Sequence, residues 1–275
     1  QLMSWTLARL GSRFSLLFEP YQRRIMHSAL GRFLDQPVDL MVGLVEPDGR
    51  ERVLPFTTRG TLFYNCEQFE RINSITFRGY SEGYGIRFEC NVHSVFYPQN
   101  EELCTMPAFY LEMRLSPAGR VRSTRPVADT PDKVKVFIRI DRPDTQIDVS
   151  DQENGRIDLS YTNTVTPQGL ETNDGPIWPE GDYAVPVRER IVSLNSGCDT
   201  DVEGQGLIYE LPVTDVGSGI KWRLVWAAHC GDAVLRAGRG DEAADGRFRY
   251  CRRCPDIDSV VDEAIESRDD RLAHS

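Results

Sequence analysis

The sequence has no long apolar run, and its first residues do not resemble a secretory leader. Its longest apolar candidate, residues 40–45, is far shorter than the roughly 20 residues that a membrane-spanning helix needs. The opening residues lack the charged and then apolar layout of a signal peptide. Asn-x-Ser/Thr glycosylation sites are also absent. We therefore expect a cytoplasmic protein with no membrane partner.

Positive charge and cysteine are both scarce. Lys and Arg number 32 against 42 Asp and Glu, a formal net charge of −10, so we expect no nucleic-acid partner. Seven cysteines in 275 residues are too few for a disulfide scaffold, and their odd number leaves at least one thiol free. We expect mostly reduced, buried cysteines. A chain of this length can bury a sufficient core without such staples.

Cofactor-binding motifs and a recognisable setting for a catalytic histidine are missing as well. The sequence contains no phosphate-binding loop or dinucleotide fingerprint, and no histidine lies in a recognisable triad setting. Cys251 and Cys254, with His229 and Cys230, could supply four zinc ligands. However, the adjacent His229 and Cys230 would point to opposite faces of a strand. We expect no catalytic residue, cofactor or metal in this chain, with zinc as the open alternative.

Between about residues 36 and 230, apolar residues recur at every second position. Glycine, proline, asparagine and aspartate separate the alternating segments, and no βαβ rhythm is present. This pattern predicts a mainly β fold, a large antiparallel β-sandwich. The clearest predicted strands lie at 38–44, 72–77, 86–92, 109–115, 134–138, 157–161, 207–211 and 222–226.

The N-terminal segment, residues 1–35, is less regular. Leu7, Leu10, Phe14 and Leu17 fall on one face of a helix, although the glycine and proline between and after them oppose one. We predict that this segment is a separate unit, with a helix as one candidate structure. A β-sandwich over residues 36–232 follows it.

The C-terminal segment, residues 233–275, predicts a linker and an amphipathic helix. Ile257, Val260, Val261 and Ala264 have the helical i, i+3, i+4 spacing, and Pro255 suits a first helical position. The neighbouring sequence offers no evident partner for this apolar face. We therefore expect a linker helix that leads to a missing C-terminal helical domain, itself a partner of the sandwich.

The strongest candidate binding residues lie in a long loop at 164–186. Trp178 stands near Asp174, Asp182 and Tyr183. Proteins hold sugars on such aromatic platforms, because the ring faces CH groups while carboxylates accept hydroxyl hydrogens. The structural alternative is a surface loop whose Trp178 packs back on the sandwich. We predict carbohydrate as the ligand of this loop.

A second candidate is the glycine-rich segment at 78–85, which carries Tyr80 and Tyr84. Its glycines favour a turn that presents two aromatic rings. The structural alternative is an ordinary hairpin tip.

The layout resembles the N-terminal β-sandwich of glycoside hydrolases that carry an (α/α)6 catalytic barrel. The resemblance rests on GYSEGYGIRFECNVHSVFY at 79–97, the strand at 207–213, and KWRLVWAAHCGD at 221–232, followed by a linker helix. The groups it resembles are glucosylceramidase-type family 116 and the glycogen-debranching-like hydrolases. In them the sandwich ends in a strand with a Trp-x-x-His pattern, which Trp226 and His229 match.

The resemblance implies a non-catalytic sandwich that supports and borders the active site of a barrel. Both catalytic carboxylates of those enzymes lie in the barrel, so no catalytic residue is carried over to this chain. The alternatives are a stand-alone carbohydrate-binding module and a structural or interaction module without a ligand.

Overall fold

The computed structural model describes residues 2–8, 14–28, 37–94, 99–119, 131–165, 171–172, 175–176, 183–201, 205–231, 235–237 and 244–269. Its helices are α1 (Glu101–Thr105) and α2 (Ile257–Glu266). Its strands are β1 (Trp5–Ala8), β2 (Ser15–Glu19), β3 (Arg24–Ser28), β4 (Asp39–Val45), β5 (Glu51–Val53), β6 (Thr61–Leu62), β7 (Tyr64–Arg71), β8 (Ser74–Ser81), β9 (Ile86–His93), β10 (Ala108–Pro117), β11 (Lys133–Asp141), β12 (Gln146–Ser150), β13 (Arg156–Val165), β14 (Glu171–Thr172), β15 (Gly175–Pro176), β16 (Tyr183–Ser193), β17 (Cys198–Thr200), β18 (Gly206–Pro212), β19 (Ile220–His229), β20 (Leu235–Ala237) and β21 (Ala244–Gly246).

The predicted mainly β, antiparallel architecture is confirmed. An eight-stranded sheet has the order β12-β13-β16-β19-β10-β9-β8-β7 and is antiparallel throughout. A six-stranded sheet, β17-β18-β11-β4-β5-β6, and a three-stranded sheet, β1-β2-β3, face it. A bridge between Ile25 and Val38 joins the two smaller sheets into one layer.

The core lies between these layers because each strand points alternate side chains inward. In β9, Ile86, Phe88, Cys90 and Val92 are buried while the residues between them are partly exposed, as the alternation predicts. Aromatic rings fill the space between layers. Trp222 of the eight-stranded sheet, for example, contacts Tyr209 of β18 with ring centroids 6.0 Å apart.

One predicted strand begins later than its apolar pattern suggests. Ile75 and Phe77 are buried in β8, but Ile72 lies in the β7–β8 turn and is 91% exposed. The pairing of Arg71 with Ser74 across this turn places Ile72 outside the alternation.

The helix considered for the N-terminal segment is wrong for the described residues, which form β1, β2 and β3. Phe14, Leu16 and Phe18 are all buried, so the spacing that matters here is two and not 3.6. Pairing of Leu7 with Leu16 across β1 and β2 then satisfies the backbone without a helix. The domain limits at residues 35 and 232 stay a prediction.

The C-terminal amphipathic helix is present as α2, with one correction at its start. Asp256 is the N-cap, and its side chain accepts a hydrogen bond from the Ser259 amide, so the helix begins at Ile257 and Pro255 precedes the cap. Its apolar residues Val260 and Ala264 are fully buried against β19, β16 and β10. The expectation that this face lacks a partner is therefore wrong, because the outer side of the eight-stranded sheet covers it.

No disulfide joins any of the seven cysteines, as expected; five are buried, and Cys66 and Cys251 are half-buried. No helix among the described residues combines the length and the apolar character needed to cross a membrane.

Candidate functional site

A cleft of about 530 Å³ opens on the outer side of the eight-stranded sheet, at the β7–β8 end. Strand β7, the end of β8 and the turn after it supply most of its wall, and the segment after β10 closes one side. The lining residues are Tyr64, Asn65, Cys66, Glu67, Tyr80, Glu82 and Ala118. The second sequence candidate, the segment at 78–85, therefore contributes to this cleft: it forms the end of β8 and the turn to β9, and Tyr80 of β8 lines the cleft.

The two cleft tyrosines are cross-strand neighbours. Tyr64 of β7 pairs directly with Tyr80 of β8, so both rings lie on the same face of the sheet. The guanidinium of the buried Arg52 stacks on the Tyr64 ring, 4.1 Å from its centroid. This contact fixes one side of the ring, and Tyr64 remains 38% exposed. The cleft therefore holds a positioned aromatic surface.

The floor of the cleft depends on a glycine. A Cβ atom on Gly79 would lie 2.2 Å from the Cβ of Phe63, so a side chain cannot be accommodated there. Phe63 instead fills this space and stacks on Phe88, with ring centroids 5.2 Å apart. Packing beneath the sheet thus fixes β7 against β8 directly under the two tyrosines.

Polar groups border the aromatic surface. Next to Tyr64, a bulge in β7 places Asn65 at a φ of 47°, in the left-handed region. The Glu67 carboxylate lies 3.4 Å from Arg78 and accepts a 3.5 Å hydrogen bond from the Tyr80 hydroxyl. The exposed Glu82 follows at the hairpin tip. An amide and two carboxylates thus flank the tyrosines with both hydrogen-bond donors and acceptors.

A buried carboxylate, Glu46, supports the hairpin from behind the cleft. It accepts a 2.7 Å hydrogen bond from the Ser81 hydroxyl and lies 3.5 Å from Arg52. Burial raises the pKa of Glu46 despite these partners. Since Glu46 does not line the cleft, its contacts position Ser81 and Arg52 and thereby the walls that hold Tyr64 and Tyr80.

The residues predicted from the long loop are not brought to this cleft by any described contact. Asp174, Trp178 and Asp182 lie outside the described residues. Tyr183 begins β16, where its backbone pairs with Val165. The proposal that these four residues bind sugar therefore stays a prediction.

A second polar group, which the sequence analysis missed, lies in the core between the layers. Glu189 of β16 is 1% exposed. His27 Nε2 donates to Glu189 Oε1 over 2.7 Å, and Trp226 Nε1 donates to Oε2 over 2.8 Å. The Tyr161 hydroxyl also donates to Oε1. Burial alone would raise the pKa of Glu189, but Coulombic attraction to His27 and these three hydrogen bonds hold it below its usual value.

The same core group continues to Arg142, which follows β11 directly. Its guanidinium stacks on the Tyr161 ring, 3.5 Å from the centroid, and its Nη2 donates to Asn163 Oδ1 over 3.4 Å. A signal for this group does exist in the sequence. Val185, Val187 and Ile191 occupy inward positions of β16, so the alternation places Glu189 inward too.

The four zinc candidates do not assemble into a metal site. The His229 ring faces the Cys254 carbonyl oxygen, 3.2 Å from Nε2, and Cys251 Sγ donates to the Cys230 carbonyl oxygen. No group of three or more metal-binding side chains occurs within the part of the chain that the structure describes.

The cleft thiol gives a first testable prediction. Burial raises the pKa of Cys66 to about 11, and only the thiolate is a strong nucleophile. We expect iodoacetamide to alkylate Cys66 very slowly at neutral pH, with a rate that rises about tenfold per pH unit towards pH 11. Mass spectrometry of the Cys66 peptide measures this rate, with the urea-unfolded chain as the control. Rapid alkylation of the folded protein at pH 7 would contradict it.

Comparisons with known proteins find a similarity in structure but none in sequence. No family model matches the sequence, and no curated protein matches it. The structure is similar to that of ccman5, described as a GH92 family glycosyl hydrolase, with a TM-score of 0.38 and 10% sequence identity. The match covers 95% of this chain and 34% of that chain, so this chain spans about a third of that hydrolase's length. The matched hydrolase belongs to family 92, whereas the sequence layout resembles family 116 and the debranching group.

Proposed function

We propose that this chain is a non-catalytic, carbohydrate-binding β-sandwich of a carbohydrate-active enzyme, and that its sugar site is the Tyr64–Tyr80 cleft. The observation that carries the proposal is the pair of aligned tyrosines bordered by an amide and two carboxylates. Aromatic faces pack on the CH groups of a sugar, and polar groups around them bind its hydroxyls. The sequence layout, which resembles the N-terminal sandwich of glycoside hydrolases, agrees with this ligand class.

The charge of the lining residues favours neutral sugars over anionic ligands. Glu67 and Glu82 line the cleft. Arg78 pairs with Glu67 and Glu89, and Arg52 contacts Glu46 and the Tyr64 ring. Arg87 does not line the cleft, but its guanidinium lies 5.6 Å from the centroid of the Tyr80 ring. An anionic ligand would therefore meet two carboxylates and no lysine or arginine among the lining residues. A hydroxyl-rich neutral ligand has no such penalty.

Calorimetric titration with short oligosaccharides of glucose, mannose and xylose tests the proposal. We expect at least one to bind, and Tyr64→Ala and Tyr80→Ala each to weaken binding about tenfold to hundredfold, because the ligand loses an aromatic contact surface worth about 1–3 kcal/mol. Tyr21→Ala is the matched control, since Tyr21 lies in the β2–β3 turn and is 72% exposed. A Trp178→Ala variant tests the long loop separately.

Two results would contradict the proposal. The first is wild-type affinity in both Tyr64→Ala and Tyr80→Ala, or no binding of any sugar by the wild-type chain. The second is hydrolysis of a glycoside by the purified chain that Glu67→Gln, Glu82→Gln or Glu46→Gln abolishes, because this would make the site catalytic. Binding that only Trp178→Ala weakens would move the sugar site to the long loop.

A further inference from the structure

Arg142 carries a positive charge in the core, where the described residues offer it no negative partner. Arg142 is only 6% exposed, yet no carboxylate in the described part of the chain lies within 4 Å of its guanidinium. Its nearest compensation is the face of the Tyr161 ring. A buried charge is costly unless it is paired, and an aromatic face offsets only part of that cost. The site therefore calls for an anion.

The hydrogen-bonding groups around Arg142 point to the same ligand class. Arg142 Nε and Nη1 and Asn163 Nδ2 are buried and have no hydrogen-bond acceptor among the described residues. Asn163 is 7% exposed. Since a guanidinium can only donate, its contact with Oδ1 fixes the orientation of the Asn163 amide and leaves Nδ2 as a second donor. Each of the three nitrogens needs an acceptor, and buried polar groups without one call for an explanation.

The two residues come from opposite layers of the sandwich. Arg142 follows β11 of the six-stranded sheet, and Asn163 lies on the inner face of β13 in the eight-stranded sheet, opposite Val185. Glu189 does not meet their need, because its oxygens already accept from His27, Tyr161 and Trp226. The donor nitrogens are inaccessible to solvent, so the ligand must be small.

We propose that Arg142 and Asn163 bind a small monatomic anion of the chloride class between the two layers of the sandwich. The anion neutralises the guanidinium, accepts from the free donors and links β11 to β13. This site is independent of the Tyr64–Tyr80 cleft, so its test does not depend on the sugar proposal.

Thermal unfolding at constant ionic strength, with sodium gluconate replaced stepwise by sodium chloride, gives the first test. We expect Tm to rise with the logarithm of the chloride concentration, by about 5–10 °C once chloride exceeds its dissociation constant a hundredfold. Asn163→Leu should remove this specific rise and leave only the general salt response. Arg114→Met is the control, because Arg114 is an exposed arginine on β10, and it should retain the chloride response.

Crystals of the wild-type chain grown in sodium bromide give a second, independent test. We expect an anomalous difference peak in contact with the Arg142 guanidinium and the Asn163 amide, and no such peak in Asn163→Leu. If that variant does not fold, Asn163→Ser takes its place, and the wild-type crystal remains decisive. A wild-type structure without the peak, together with equal Tm in chloride and gluconate, would overturn the proposal, as would stabilisation by phosphate or sulfate but not by chloride.

Discussion

Replacing Glu189 by alanine should destabilise the fold by about 3–5 kcal/mol, which is among the largest effects expected of any single substitution in this chain. Three buried donors, on His27, Tyr161 and Trp226, share the two oxygens of this carboxylate. Alanine leaves all three in the core without their acceptor, and each loses more by being buried unpaired than it gained from the bond. Urea unfolding followed by tryptophan fluorescence measures the loss.

Two variants separate this effect from general charge removal. Glu189→Gln keeps the size of the side chain and one acceptor oxygen, so it should cost less than Glu189→Ala. Glu210→Ala removes an exposed carboxylate that pairs with Lys133 and Lys135, and it should leave the unfolding midpoint nearly unchanged. Equal stability of Glu189→Ala and Glu210→Ala would show that the core group contributes little.

The lowered pKa of Glu189 makes its contribution to the stability of the fold depend on pH. Because the folded state holds this pKa below its ordinary value of 4.5, the unfolded chain takes up the proton first as the pH falls. The stabilisation from Glu189 is therefore fully present above pH 4.5 and is lost as the pH falls through the lower folded pKa. The free energy of unfolding of the wild type should decline in this acid range, and that of Glu189→Gln should decline less steeply.

The sandwich could be predicted from the sequence because its inward positions are apolar over long stretches, as in β9 and β10. The N-terminal strands could not, because Leu7 and Phe14 satisfy a helical spacing as well as a strand hairpin, and only pairing with β2 decides between them. Local periodicity gives the strands, whereas pairing and layer order depend on long-range contacts.

The cleft shows the same division between local and long-range information. Tyr80 could be placed on a hairpin from the glycines around it. Tyr64 could not, since its position beside Tyr80 depends on the β7–β8 register and on the bulge between Tyr64 and Glu67. A bulge changes the face that each following residue occupies, and apolar alternation alone does not locate it. The inward position of Glu189, in contrast, follows from the alternation of β16, because Val187 and Ile191 on either side of it both point inward.

Helix α2 gives the second large prediction: Val260→Asp should destabilise the protein by about 3–5 kcal/mol. Val260 is fully buried against the outer side of the eight-stranded sheet, where an aspartate would be desolvated without a partner. Ile265→Asp is the matched control, because it is the same type of change on the same helix at a position that is 38% exposed. It should cost much less. Urea unfolding of the two variants measures the difference.

Comparing Val260→Asp with Ile265→Asp also shows whether α2 is an integral layer of the fold or a docked linker. Polar contacts also hold it to the sheet: the Tyr110 hydroxyl donates to the Ala264 carbonyl oxygen over 2.6 Å, and Arg190 pairs with Asp258. If α2 is an integral layer of the fold, Val260→Asp lowers the midpoint of the whole cooperative transition, as seen by Trp222 and Trp226 in the core. If α2 is a linker that docks only beside a further domain, Val260→Asp and Ile265→Asp have the same unfolding midpoint. Tyr110→Phe, which removes one hydrogen bond and keeps the ring, should fall between them at about 1 kcal/mol because its cost is that of a single buried bond.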